Sequence, residues 1–478
     1  MPVRPKPSTR NSPNHSRSPS QAITWIKNAR VFSQDSDRRF FKAHLRIVEG
    51  RIERIAKTLP DRFERDALVL DARDQYLFPG FVQTHVHLCQ TLFRNQADDL
   101  ELLDWLAKRI WLLEAAHTPE SLKASALLGI HELLTSGTTT VLDMGTVRHT
   151  EAIIEAALET GIRASIGKCL MDHPEYTPPG LREKTGPALK EALDLHAKWH
   201  GCNDGQISIS LAPRFAISCT EGLLREVATH SAEQGILVHT HASENRKEIE
   251  LVRKISGRDN IQYFKDLGLT SNRLVLAHGV WLSQKERRIL ADSGTHITHC
   301  PSSNLKLASG IAPVPELLAL GVNVCLGADG APCNNHLNQL EEMRLAALLH
   351  KPGHGPKTLR AQEALDMGTL NGAKALGLED EIGSIEVGKR ADLVLFDLNR
   401  PENLVIEDRG AGRLPSSDAV ASSLVYSTQP HHLQWTMVDG EVVQKHGELA
   451  AISTESLVRD VRRAQLSLRK KVDLPSID

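Results

Sequence analysis

The sequence predicts an α/β protein: a (β/α)8 TIM barrel with a small β-sandwich domain built from both chain ends. Short β-branched and aliphatic runs recur eight times between stretches of helical periodicity, which is the rhythm of parallel strands joined by crossover helices. Polar residues gather at the C-terminal ends of those runs, the face of a barrel where loops build active sites. Strand-and-turn patterns return at both ends of the chain, outside the alternating region.

Taken in order, residues 1–22 (MPVRPKPSTRNSPNHSRSPSQA) hold too much Pro, Ser and basic character, and too little apolar surface, to offset the entropy of ordering; a disordered tail is expected. Residues 23–76 read as the first part of the β-sandwich, from ITWIKNARVF and HLRIVEGRIERIAK. The barrel is placed at 77–380. Its strands are read at 77–85, 138–143, 163–171, 206–212, 236–241, 273–278, 295–300 and 323–329. Between the first two, TPESLKASALLGIHELLTSG carries Thr118 as a cap, Pro119 at the first helical position, Glu120 in the first turn and Gly137 as a stop. An open doubly wound sheet fits less well, because no Gly-rich dinucleotide loop follows the first strand. Residues 381–450, with GSIEVGKRADLVLFDL and QWTMVDGEVVQ, supply the second part of the sandwich; neither half has enough apolar material to fold alone. In 451–478, Leu457, Val461, Ala464 and Leu468 stand near helical spacing and predict a peripheral helix.

Composition narrows the function. The 478 residues are 41% apolar and 24% charged, as in ordinary globular proteins, and the net charge of -2 offers no footprint for a nucleic acid. No stretch approaches a membrane span or a signal-peptide core. The seven cysteines (89, 169, 202, 219, 300, 325 and 333) form no close pair, and several sit in apolar runs; buried free thiols and a cytoplasmic location are expected.

His85 and His87 lie two apart on a strand, so both face one side and can converge on one point. With His241 and Asp329 at other strand ends they make a mixed N/O set suited to one divalent ion such as zinc. In HTHASEN, His241 is nearer the strand end than His239, which is read as a packed, hydrogen-bonded residue. Glu244 follows, placed to move protons without joining the metal. Asp329 can ligate through one oxygen and accept a proton through the other. His278, in LAHGVWL, is either a further ligand or a group that polarises the substrate.

PGFVQTHVHLCQTLFR, DLELLDWLAKRIWLLE, SGTTTVLDMG, HTHASEN, LAHGVWL, HCPSSNLKLASGIAPV, GADGAPCNN and GSIEVGKRADLVLFD together resemble the amidohydrolase superfamily. The similarity is to its cytosine-deaminase-like branch, which includes guanine deaminases, chlorotriazine hydrolases and methylthioadenosine/S-adenosylhomocysteine deaminases, and is closest to the deaminases of 5′-deoxyadenosine, methylthioadenosine and S-adenosylhomocysteine. The resemblance implies one zinc or iron on His85, His87, His241 and Asp329, Glu244 and His278 at the reacting centre, and a homo-oligomer. Its implied reaction is water attack on an sp2 carbon bearing an amine, with Glu244, His278 and Asp329 as the catalytic groups. A small purine or purine nucleoside is the implied partner; a guanine deaminase or related purine or pterin deaminase, a chlorotriazine-type hydrolase, and a non-catalytic, metal-stabilised binding protein are the alternatives.

Substrate contacts are expected from Trp111, by stacking or as plain core, and from Arg214 in LAPRFAI, where guanine deaminases carry the same APRF and adenosine-type enzymes often have histidine. The resemblance assigns Glu114 to the ribose hydroxyls. It matches Lys168 and Arg182 to two arginines that hold an amino-acid carboxylate. Lys lacks the guanidinium fork, so an uncharged 5′ end is expected, as in 5′-deoxyadenosine or methylthioadenosine.

Overall fold

The computed structural model describes residues 23–404 and 414–475, so the tail expected over 1–22 lies outside the described residues. The strands are β1 (Ile23–Phe32), β2 (Phe40–Val48), β3 (Arg51–Ala56), β4 (Leu68–Asp71), β5 (Tyr76–Pro79), β6 (Phe81–Val86), β7 (Thr138–Thr146), β8 (Arg163–Leu170) and β9 (Ile207–Pro213). They continue with β10 (Val238–Ala242), β11 (Leu274–His278), β12 (His296–His299), β13 (Val324–Leu326), β14 (Leu393–Phe396), β15 (Leu433–Val438), β16 (Glu441–Lys445) and β17 (Glu448–Leu449).

Strands β6 to β13 pair in chain order, all parallel, as crossover helices between them require. Val86 bridges Asp329 in parallel, and the Asp329 amide donates to the His85 carbonyl (3.0 Å), which closes the ring. Gly327 permits that closure, since a Cβ there would lie 2.6 Å from the His85 carbonyl oxygen. The barrel is therefore sealed beside two of the residues that matter most.

The first barrel strand begins later than the run 77–85 predicts. Tyr76–Pro79 pairs with β14 and β1 instead, and the chain enters the barrel only at Phe81. Gly80 is the break: its amide donates to the Asp392 carbonyl (2.8 Å), and Thr139 fills the space a Cβ would need.

Both chain ends build one nine-stranded sheet, in the order β17-β16-β15-β14-β5-β1-β2-β3, with β4 added beside β1. It curls until the β2–β3 turn meets the β15–β16 turn, where Gly50 touches the Asp439 carbonyl and accepts from the Ala391 amide. The two-residue period then divides its side chains. Leu77, Leu393 and Leu395 join Ile26, Leu45, Ile47 and Trp435 in the small domain's own core, while Tyr76, Phe78, Val394 and Phe396 face the barrel core.

The helix Pro119–Thr135 starts at Thr118, whose hydroxyl accepts from the Ser121 amide, and ends with Ser136 as its cap and Gly137 at φ 95°. The final helix, Thr454–Arg469, buries Leu457, Val461, Ala464 and Leu468. Among the described residues no helix is long and apolar enough to cross a membrane. All seven cysteines are free, and all but Cys202 are buried.

Candidate active site

His85 on β6, His87 just beyond it, His241 on β10 and Asp329 after β13 come together at the C-terminal mouth of the barrel, each offering a ligand atom within 4.8 Å of the others. His87 Nε2 lies 3.2 Å from His241 Nε2 and 3.3 Å from Asp329 Oδ1, and His85 Nε2 lies 3.2 Å from the same oxygen. These are close to the edges of a tetrahedron with ligand bonds of about 2.0–2.1 Å.

Hydrogen bonds on the far side of each ring decide which nitrogen is free. His241 Nδ1 donates to the Arg214 carbonyl (2.6 Å), so its Nε2 carries a lone pair. His85 Nδ1 stands 2.8 Å from His239 Nε2; when it donates there, His85 Nε2 is left as a lone pair, and that buried nitrogen makes no hydrogen bond of its own. Burial pushes the His85, His87, His239 and His241 imidazoles down from their usual range, the last three strongly. Asp329 behaves oppositely: burial favours its neutral form, but the His85 and His278 rings beside it outweigh this and hold it well below the carboxylate range. Neutral imidazoles converging on an ionised carboxylate are what a divalent metal ion requires. The four residues fit one.

His278 and Glu244 flank this cluster. His278 Nδ1 meets Asn304 Oδ1 (2.9 Å), and its Nε2 is 3.4 Å from Glu244 Oε2 and 3.9 Å from Asp329 Oδ2. Burial works against its charge, but Glu244 and Asp329 prevail and raise its pKa. Glu244 is pushed up to about 7, chiefly by burial. Asp329 Oδ2 also accepts from Ser303 Oγ (2.6 Å). His278 (φ 76°) and Asp329 (φ 63°) both take the left-handed backbone region, which costs a non-glycine residue about 1–3 kcal/mol and recurs at functional sites.

In the pocket above these groups Leu102, Trp105, Leu106, Phe215 and Leu307 form the apolar wall, and Arg214 and Glu248 are among the polar residues. Sequence reading did not single out Trp105, Phe215 or the three leucines. Trp111, read as either a stacking partner of the base or core, packs with Val147, Cys169, Met171 and Leu181. Glu114, expected against the ribose, is buried in an ion pair with Arg214. Lys168 is fully buried and donates to Glu183 Oε2 (2.5 Å) and the Val147 carbonyl (2.7 Å); Arg182 donates to the Pro174 carbonyl. Neither lines the pocket.

A closed parallel barrel with this mouth is built for hydrolysis at a metal ion. The chain belongs to the amidohydrolase family, whose model matches residues 76–443. It is 38% identical to a 5′-deoxyadenosine deaminase of Methanobrevibacter smithii, over 93% of this chain and 98% of the relative. A 5-methylthioadenosine/S-adenosylhomocysteine deaminase of Moorella thermoacetica is also 38% identical, over 88% and 94%. Among solved structures, a zinc-bound adenosine deaminase from Xanthomonas campestris superposes with a TM-score of 0.84 at 30% identity, covering 95% of this chain and all of that one.

Proposed function

We propose that this protein is a metal-dependent aminohydrolase that deaminates an adenine nucleoside with an uncharged 5′ end, such as 5′-deoxyadenosine or methylthioadenosine, to the inosine analogue and ammonia. The observation that carries the reading is the geometry of Glu244, a buried carboxyl 3.4 Å from His278 Nε2 and beside the four ligand groups. The near full-length likeness to nucleoside deaminases supports it from a second direction. Zinc suits the three-imidazole, one-carboxylate donor set. Free, mostly buried thiols fit a reducing, cytoplasmic setting, and the homo-oligomer implied by the resemblance completes the proposal.

A divalent ion held by His85, His87, His241 and Asp329 supplies Lewis acidity that brings the deprotonation of water towards neutral pH. The protein's own groups do the rest. Asp329 accepts a proton from the attacking water through Oδ2, the oxygen turned towards His278. Glu244 delivers its proton to the ring nitrogen beside the amine-bearing carbon. His278, held by Asn304, directs Nε2 to the carbon's incoming oxygen and stabilises the charge that develops there. The proton held by Asp329 reaches the departing amine, which leaves as ammonia, while the proton of the added hydroxyl passes to Glu244 as the carbonyl forms and restores its acid form. The 5′ end finds no free cation from Lys168 or Arg182, and an apolar wall of Leu102, Trp105 and Leu106 suits a methyl or methylthio group better than an amino-acid carboxylate.

The test is a kinetic panel of 5′-deoxyadenosine, methylthioadenosine, S-adenosylhomocysteine, adenosine, adenine and guanine with metal-loaded enzyme, the products identified by mass. The two uncharged 5′ nucleosides should give the highest kcat/KM; turnover of guanine alone would reject the nucleoside reading. Glu244→Gln should keep its metal and lose about 10²-fold or more in kcat. A fully loaded Glu244→Gln protein with wild-type kcat would remove Glu244 from the chemistry.

A further inference from the structure

The two carboxyl oxygens of Glu244 face different partners. His278 Nε2 stands 3.4 Å from Oε2, and Ser309 Oγ donates to Oε1 (3.4 Å). The Ser309 contact is longer than the usual O–H···O span of about 2.5–3.0 Å, so a bond this loose does not fix its own donor. The backbone of Ser309 is held by two other groups. Its amide donates to the Asn304 carbonyl (2.8 Å), while the Asn304 side chain meets His278 Nδ1 (2.9 Å). Its carbonyl accepts from the Trp281 indole N–H (2.8 Å). Gly310 then turns away at φ 130°, and a Cβ there would lie 3.1 Å from the indole, so the chain at 309–310 rests directly on that ring.

Trp281 also grips the chain on both sides of Glu244. Its own amide and that of Val280 donate to the Ser243 carbonyl (2.9 Å each), and the Arg246 guanidinium lies over its ring, 4.0 Å from the centroid. Glu248 pins the same stretch, accepting from the amides of Ser243 (3.3 Å), Glu244 (2.9 Å) and Asn245 (3.4 Å). One side chain beyond His278 therefore ties together the loops that follow β10, β11 and β12. Core burial does not account for its place, because the residue is 37% exposed.

We infer that Trp281 is a positioning residue for the proton transfers of Glu244. Its N–H keeps Ser309 within reach of Oε1, and a carboxyl that accepts a hydrogen bond there carries its transferable proton on Oε2, beside His278. Without Ser309 the carboxyl is free to turn, and the proton is shared between two directions. The inference rests on Glu244 as the proton carrier proposed above and adds what aims it.

The experiment compares Trp281→Phe, which removes the N–H and keeps a ring beneath Arg246, with Ser309→Ala, the double variant, and Trp281→Phe in a Glu244→Gln background. Each metal-loaded protein is assayed on whichever compound of the panel above has the highest kcat/KM, with metal content and melting temperature measured alongside. Trp281→Phe and Ser309→Ala should each lower kcat about 5- to 10-fold, at nearly constant KM and full metal content. The double variant should lose no more than Ser309→Ala alone, because the indole acts through the hydroxyl. In the Glu244→Gln background Trp281→Phe should cost nothing further in kcat, whereas a packing defect would cost the same factor there. A wild-type kcat in Trp281→Phe, a loss carried by KM, losses that multiply in the double variant, or an equal loss with and without Glu244 would each overturn the inference and leave the deaminase reading intact. A wild-type kcat in fully loaded Glu244→Gln, or no turnover of any panel compound, would overturn the inference together with the proton role it rests on.

Discussion

His239 and His241 lie two apart on β10 with side chains on one face, and what separates their roles is the partner each nitrogen already has. His241 bonds outward through Nδ1 to a carbonyl and keeps Nε2 for the cluster, whereas His239 Nε2 is engaged with His85 Nδ1. His239 thereby fixes the orientation of a neighbouring ligand, as residues behind a metal shell commonly do. His239→Ala should weaken metal binding about 10- to 100-fold, read from metal retention during titration with a chelator. Unchanged retention would reduce His239 to a packed residue. The four ligand groups were legible because strand periodicity and strand ends place them with local information alone. The partners of Arg214 were not: Glu114 is 100 residues away, and no local pattern in either segment announces the pair.

At the scale of single elements, the segment ELLDWLAKRIWLLE places two tryptophans in different surroundings. A π-helical turn at Leu106–Ile110 separates the helical pieces Leu102–Trp105 and Trp111–Ala115. A π turn inserts an extra residue and rotates everything beyond it relative to what precedes. Trp105 faces the pocket and Trp111 the cluster around Met171, and their six-residue separation already sets them on different sides of a helix. Nothing in residue propensity marks that insertion, since Leu, Ala, Lys and Arg all favour an ordinary α-helix. Trp105→Ala should raise KM about 10-fold or more through lost apolar contact with the substrate, and because the same side chain is buried in the barrel core it should also lower thermal stability. Trp111→Ala should destabilise the fold by about 1–3 kcal/mol at nearly constant KM. If KM responded to Trp111 and not to Trp105, Trp105 would not be the aromatic wall of the pocket.

Across the whole molecule, the two chain ends are joined at the opposite face of the barrel from the metal ligands. Arg163 opens β8 and is buried, with Nε and Nη2 on the two Asp392 oxygens (2.8 and 3.0 Å) and Nη2 also 2.8 Å from Asp439 Oδ1. Arg390 extends the network from Asp439 (2.8 Å) to Asp204 (3.1 Å) and Glu381 (2.8 Å), and Arg51 reaches the same Glu381 oxygen (2.7 Å). Barrel and small domain thus share charges as well as the Phe78–Phe396 apolar face. The composition announced a domain made from both ends, but not that an arginine in a barrel strand would bind it, because that pairing spans more than 200 residues. Removing one member of a buried, doubly bonded pair strands the other charge away from water, a loss of about 3–5 kcal/mol, whereas replacing both by apolar groups removes much of that penalty. Arg163→Met should therefore lower the urea midpoint markedly, and Arg163→Met with Asp392→Leu should recover part of the loss. Because Arg163 sits at the N-terminal end of its strand, metal content and kcat at 25 °C should stay at wild-type values in the single variant. A wild-type urea midpoint in Arg163→Met would show that the apolar face alone holds the domains together.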